Sequence, residues 1–164
     1  MMNSSEAGRA MFFDASALAK VYLDEEASDK VRAAFHAEPT QYTTPFCFYE
    51  TLTVMKARIG VGIAERTRYL DACSNLTAWY RARSRSVNDI SFDDPHTFSF
   101  ARSLVEKYGI DLSDAFQILS VRDGFYSVLV RDSATILATA DARLARAARA
   151  ESLRVWSIID ELSP

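Results

Sequence analysis

Short apolar segments that alternate with longer helix-like segments constrain the fold of this chain most. We expect strands at residues 10–14, 42–44, 87–91, 127–131, 134–139 and 155–158. Helical periodicity predicts the helices between them, with proline in the first turn or glycine after the last turn of several. These helices are expected at 15–23, 27–36, 45–59, 63–83, 95–108, from about 113 onwards, and at 141–150. Alternating strands and helices predict an α/β fold, a three-layer α/β/α sandwich with a mainly parallel central sheet.

Length and composition predict one globular domain. The chain has 164 residues, of which 49% are hydrophobic and 25% charged, enough to bury a core without disulfides or structural metals. No linker or repeat divides residues 10–164, so we expect them to form a single domain. Residues 1–9 are small and polar, which is typical of a flexible N-terminal tail.

Several functional classes fit this composition poorly. Cys47 and Cys73 lack metal-type spacing and there are only two histidines, which argues against a disulfide framework, a zinc site or a His-rich metal site. Asp14 and Lys20 interrupt the only apolar stretch near the N-terminus, so we expect a soluble, cytoplasmic protein without membrane contact. The net charge of −3 argues against a general nucleic-acid coat, although a local basic surface would still attract a polyanion.

Four acidic residues lie where the neighbouring apolar pattern favours an uncharged side chain. Asp14 ends the first strand, Glu50 lies on an apolar helix face, and Asp114 and Asp141 each begin a helix. Carboxylates in such places are costly unless they are paired, protonated or bound to metal. If they converge on one cation, an all-oxygen site selects Mg²⁺ or Mn²⁺ and suits phosphodiester hydrolysis.

Each acid also has a structural interpretation. Asp14 and Asp141 occupy ordinary helix-cap positions. Asp114 and Gln117 have the spacing of a capping box, and Asp111 is a competing cap or an additional ligand.

Glu50 and Asp14 each have one further alternative. Glu50 could form a buried ion pair with Lys20 or Lys56. Asp14 also matches the first acid of a haloacid-dehalogenase phosphatase, but those enzymes need a second Asp where this chain has Ser16. All of these acids could also be helix caps of a purely structural domain.

Four short motifs, taken in order, resemble those of the PIN-domain family and, within it, the VapC-like toxins of prokaryotic toxin–antitoxin pairs. They are residues 13–20, 49–50, 112–115 and 139–144, and the resemblance extends over residues 12–158. Each motif is short, but four in the family's order are quite specific. The resemblance implies a metal-dependent ribonuclease with Mg²⁺, or Mn²⁺ in its place.

The resemblance also implies roles for individual residues. The catalytic acids would be Asp14, Glu50, Asp114 and Asp141. Asp14, Asp114 and Asp141 would bind the metal, Glu50 would orient or deprotonate the attacking water, and Ser16 and Thr139 would be secondary polar residues of the site.

The segment before Asp141 is longer than is usual in the family, so Asp132 is a rival for the fourth acid. We prefer Asp141, because it has Thr139 two residues before it and a predicted helix after it. Arg143 and Arg146, which are nearest to Asp141, are candidate RNA contacts.

By the same resemblance, we expect an RNA substrate, a small antitoxin protein as partner and a homodimer. Two other functions stay open: a catalytically idle PIN-like module that binds RNA or protein, and an RNA-processing nuclease outside any toxin–antitoxin system.

Overall fold

A parallel sheet forms the centre of the computed structural model, which describes residues 9–38, 40–60, 62–84, 90–127 and 135–164. Its strands are β1 (Ala10–Phe13), β2 (Gln41–Tyr42), β3 (Thr135–Thr139) and β4 (Arg154–Ser157). They lie in the order β2-β1-β3-β4, and every neighbouring pair is parallel. The carboxyl ends of all four strands therefore meet at one edge of the sheet.

Helices surround this sheet. Their bounds are α1 (Ala15–Tyr22), α2 (Ser28–Ala37), α3 (Pro45–Ile59), α4 (Ile63–Trp79), α5 (Pro95–Tyr108), α6 (Leu112–Asp123) and α7 (Ala142–Ala150), with a π-helical turn at Tyr80–Ser84 directly after α4. Proline in the first turn begins α3 and α5, where a missing backbone N–H is harmless. Gly109 ends α5 in the left-handed conformation that glycine adopts at little cost.

The two faces of the sheet carry separate apolar cores. Met11 and Phe13 point to one face and Phe12 to the other, as the two-residue period of a strand requires. The Met11 face packs against residues of α1, α2, α3 and α4, whereas the Phe12 face packs mainly against α5, α6 and α7. The predicted three-layer α/β/α sandwich with a parallel sheet is therefore confirmed.

The predicted helices at 45–59 and 95–108 match the structure, and the helix at 63–83 is α4 with its π-helical turn. The second strand is shorter than predicted and begins one residue earlier. The predicted strands at 87–91 and 127–131 fall mostly outside the described residues, as do residues 1–8 of the predicted tail. None of the described helices combines the length and the apolar character that a bilayer crossing requires.

Candidate active site

Asp14 lies at the carboxyl end of the central strand β1 and caps α1. Its side chain is only 3% exposed, and its Oδ1 accepts a hydrogen bond of 2.7 Å from the Ala17 backbone N–H. This is the predicted cap. A cap needs one carboxylate oxygen near the helix end, however, and does not require burial of the whole group.

Two hydroxyl groups hold the Asp14 carboxylate between β1 and β3. Thr139 Oγ1 donates to Asp14 Oδ2 at 2.5 Å, and Ser16 Oγ donates to the same carboxylate at 2.8 and 2.9 Å from its two oxygens. In return, Ser16 Oγ accepts from the Ala140 N–H at 2.8 Å and Thr139 Oγ1 accepts from the Asp141 N–H at 2.9 Å. Ser16 and Thr139 therefore connect the first acid to the segment that carries the fourth.

Burial raises the pKa of Asp14 to about 6, against the three hydrogen bonds from Thr139, Ala17 and Ser16, which lower it. The negative charge of Glu50 raises it further. Burial and a nearby like charge both disfavour the ionised carboxylate. A cation at this position would relieve that penalty.

Glu50 lies half-buried on α3 and accepts a hydrogen bond of 2.8 Å from Ser113 Oγ, at the start of α6. The alternative ion pair with Lys20 is wrong, because Lys20 Nζ donates to the Glu26 carbonyl at 2.8 Å and lies 3.5 Å from Glu25 Oε2. Glu50 therefore faces α6 and the other acids.

Asp114 does not cap α6. Asp111 is the cap, since its Oδ1 accepts from the Asp114 N–H at 2.9 Å, and the capping box proposed for Asp114 and Gln117 is wrong. The Asp114 carboxylate is half-buried, and burial is the largest cause that raises its pKa to about 7. The further causes are the charges of four neighbouring acids, which are Asp111, Asp141, Asp14 and Glu50.

Asp141 both caps a helix and belongs to the acidic cluster. Its Oδ1 accepts from the Arg143 and Leu144 N–H groups at 2.7 and 3.1 Å. The cap thus uses one oxygen of the carboxylate, while the charge still acts on Asp114. The structure therefore brings the four sequence-predicted acids, Asp14, Glu50, Asp114 and Asp141, into one electrostatic cluster at the carboxyl edge of the sheet.

The chain also matches the model of a known family. The PIN-domain model matches residues 11–150, which is most of the chain. The chain belongs to the PIN-domain family. PIN domains are generally nucleases and typically use divalent metals. A search of curated proteins gives no match.

The donors of this PIN domain suit a hard divalent cation. All of them are carboxylate oxygens, and Asp14 and Asp114 both have raised pKa values that a cation would offset. Within the described ranges, no three His, Cys, Asp or Glu side chains already lie close enough together to enclose a metal ion. The donor chemistry therefore fits a divalent cation. The rival acid Asp132 lies outside the described residues.

Two residues of the site were not predicted from the sequence. Cys47 is fully buried near Asp14 and Glu50, and burial raises the pKa of its thiol to about 12, so the thiol stays neutral at physiological pH. Its position one helical turn before Glu50 was the available signal. Ser113 contacts Glu50 across two helices, and no sequence spacing indicates such a contact.

Proposed function

We propose that this PIN domain is a Mg²⁺-dependent endoribonuclease that hydrolyses RNA phosphodiester bonds. The observation that carries the proposal is the acidic cluster, in which Asp14 and Asp114 have raised pKa values through burial and through the charges of other acids. Unpaired carboxylates about 4 Å apart repel by about 4 kcal/mol at an effective dielectric near 20. A divalent cation among these carboxylates would attract each of them and so offset their mutual repulsion.

Asp14, Asp114 and Asp141 would hold Mg²⁺, with Mn²⁺ as a substitute. When bound, the cation offsets the negative charge that develops on the phosphate in the transition state. Thr139 and Ser16 fix the Asp14 carboxylate by their hydrogen bonds, so this acid is oriented before a cation arrives. The Oδ1 of Asp141 is held by the backbone N–H groups at the start of α7, and Oδ2 would be free to bind the cation.

Glu50 is the proposed base. Its carboxylate accepts a proton from a water molecule as the water oxygen attacks phosphorus. One new P–O bond forms, the P–O bond to the leaving nucleotide breaks, and the leaving oxygen takes up a proton from solvent water. Glu50 then releases its proton to the solvent. Glu50 suits this role because, among the described residues, only Ser113 Oγ donates to its carboxylate, at Oε2.

The proposed RNA contacts are Arg143 and Arg146 on α7. With Lys107 and Tyr108 they line a groove of about 360 Å³ beside the helix that Asp141 caps. Both arginines are exposed, and neither makes an ion pair with any described residue, whereas Arg149 on the same helix is paired with Glu161. Guanidinium groups that have no ion pair with a described residue, on the helix that Asp141 caps, are available for phosphate oxygens.

RNA affinity tests this contact. In an Asp14→Asn background, Arg143→Ala and Arg146→Ala should each weaken the binding of a single-stranded RNA. Each should also reduce the slope of log K against log salt by about 0.7. Arg66→Ala is the matched control, because Arg66 is exposed on α4 and has no ion pair with a described residue. Equal affinity and slope in all three variants would refute the contact.

We propose further that the enzyme is a VapC-like toxin of the cytoplasm that forms a homodimer and is inhibited by a small antitoxin. Tyr49, next to Glu50, is 68% exposed, and Phe46 and Leu112 are each 40% exposed. Exposed apolar side chains beside an active site suit a protein partner. A small open reading frame next to this one, whose product co-purifies with the chain and stops cleavage, would support this proposal. An active chain with no such neighbouring reading frame and no inhibitory partner favours an RNA-processing nuclease.

Cleavage of a labelled RNA by the purified chain tests the main proposal. We expect cleavage with Mg²⁺ or Mn²⁺, none with EDTA, and none by Asp14→Asn. Cleavage that persists in EDTA or in Asp14→Asn would refute the metal-site mechanism. A fully inactive wild type that still binds RNA would instead indicate the idle binding module.

A further inference from the structure

We infer that Ser113 and Gln117 are positioning residues that orient Glu50 towards the attacking water. The inference rests on the proposed nuclease function. Its basis is a chain of three side chains that runs from the interior of α6 to the acid on α3.

The direction of this hydrogen-bond chain follows from its chemistry. Gln117 Nε2 lies 3.3 Å from Ser113 Oγ, and Ser113 Oγ lies 2.8 Å from Glu50 Oε2. An amide nitrogen only donates and a carboxylate only accepts. Ser113 therefore accepts from Gln117 and gives its single proton to Glu50.

Gln117 is an unusual residue for its position. Its side chain is 3% exposed within α6, and its Oε1 has no hydrogen-bond partner among the described residues. A buried acceptor without a partner destabilises a fold, and an apolar side chain of similar size would avoid that penalty. The contact with Ser113 is the one described polar interaction that the Gln117 side chain makes.

Ser113 does not cap a helix. Asp111 caps α6, so the Ser113 hydroxyl is directed to Glu50 instead of to a backbone N–H. With Oε2 held, Glu50 Oε1 has no hydrogen bond to a described residue and is the oxygen that receives the proton. Because Ser113 precedes Asp114, one helix end sets the geometry of two acids.

Steady-state kinetics of RNA cleavage test the inference. Ser113→Ala should lower kcat about tenfold at an unchanged KM, since the base is misoriented while substrate binding is intact. Gln117→Leu should lower kcat about threefold, because Ser113 still reaches Glu50 without it. Ser113→Thr should restore most of the activity, because threonine keeps the hydroxyl. The matched control is Ser120→Ala, which removes a fully buried hydroxyl of the same helix that has no partner among the described residues.

A double-mutant cycle with Glu50→Gln separates positioning from general damage. Ser113→Ala should cause no further loss of kcat in the Glu50→Gln background, and the shifts in the urea unfolding midpoint should be less than additive. Equal kcat for wild type and Ser113→Ala, or additive midpoints, would overturn the inference while leaving the nuclease function intact. A wild type that cleaves no RNA overturns the function itself, and the positioning role with it.

Discussion

Asp14 and Asp114 are both acids with raised pKa values, yet their surroundings differ. Asp14 is almost fully buried and accepts hydrogen bonds from Thr139, Ser16 and a backbone N–H. Asp114 is half-buried and its carboxylate accepts no hydrogen bond from a described residue, while four other acids raise its pKa. The first acid is held by the fold, whereas the second is surrounded by like charge.

This difference assigns the two acids separate physical roles. The Asp14 carboxylate is stabilised by donors that remain in place whether or not a cation is bound, so it serves the fold as well as the site. The fold stabilises the ionised form of Asp114 little, since both burial and like charges oppose it, so a cation would stabilise this carboxylate most. Removing either charge should therefore have the same effect on chemistry. The effects on stability should differ in sign, because burial disfavours both charges but only Asp14→Asn also disrupts hydrogen bonds that the carboxylate accepts.

The largest expected effect is the loss of RNA cleavage, which both substitutions should cause. Asp14→Asn and Asp114→Asn should each reduce the single-turnover rate of RNA cleavage at saturating Mg²⁺ by at least about 100-fold, because each loses a charged metal ligand. Asp71→Asn, at an exposed position on α4, should cleave at the wild-type rate. If only one of the two acids is needed, they do not share a metal site.

Next in size is the stabilisation by Mg²⁺. At a concentration about 100 times its Kd, Mg²⁺ should raise the free energy of unfolding of the wild type by about 2.7 kcal/mol at pH 8. The gain should be smaller at pH 5, where protons compete for Asp14 and Asp114, whose pKa values are about 6 and about 7. Urea unfolding in Mg²⁺ and in EDTA, at both pH values, measures this gain in the free energy of unfolding. If Mg²⁺ stabilises Asp114→Asn as much as it stabilises the wild type, Asp114 is not a metal ligand.

Stability without metal sharpens the contrast between the two acids. The folded-state pKa of Asp114 is about 7 against an ordinary value of 3.8, so its ionisation destabilises the fold fully above pH 7 and not at all below pH 4. Solvent screens this half-buried group, so Asp114→Asn should gain only about 1 kcal/mol at pH 8, or roughly 2–4 °C in Tm. The gain should vanish near pH 4.

Asp14→Asn should lose stability at pH 8 in the same experiment, because one accepting oxygen of the carboxylate becomes an NH₂ donor that faces a hydroxyl group. The pKa of Asp14 is itself raised to about 6, so removal of its charge offsets part of this loss and leaves a net loss of about 1 kcal/mol. Thermal unfolding in EDTA at pH 4 and pH 8 measures both variants. Equal shifts of the same sign would contradict the division between an acid held by the fold and an acid opposed by like charge.

The smallest expected effect concerns the support of Asp14. Thr139→Val should lower the free energy of unfolding by about 1 kcal/mol, because it removes the donor to Asp14 and the acceptor for the Asp141 N–H. It should also weaken Mg²⁺ binding, which calorimetric titration measures. Thr135→Val, a buried threonine of the same strand that donates to the Tyr126 carbonyl, should alter stability but not Mg²⁺ affinity.

Local sequence patterns predicted the layers of the fold and the positions of two of the acids. Apolar strands followed by helices place Asp14 and Asp141 at the carboxyl edge of a parallel sheet whatever the details of packing. A capping position is a local property too: the caps at Asp14 and Asp141, which were the structural alternatives to metal ligation, are present in the structure.

Contacts between distant segments could not be predicted in the same way. The choice between Asp111 and Asp114 as the cap of α6 depends on where the chain enters the helix, and both residues fit the local pattern. The Ser113 to Glu50 contact depends on how α3 packs beside α6, which no periodicity encodes. The placement of Lys20 against the Glu26 carbonyl likewise depends on a turn after α1.

Mn²⁺ binding measured by electron paramagnetic resonance, with RNA cleavage followed in the same samples, tests the central claim most directly. We predict that cleavage rises in proportion to bound Mn²⁺ in the wild type, and that Asp14→Asn and Asp114→Asn lose both bound Mn²⁺ and cleavage. Cleavage of RNA by the wild type with no Mn²⁺ bound, or tight Mn²⁺ binding that survives both substitutions, would contradict a metal site built from these acids.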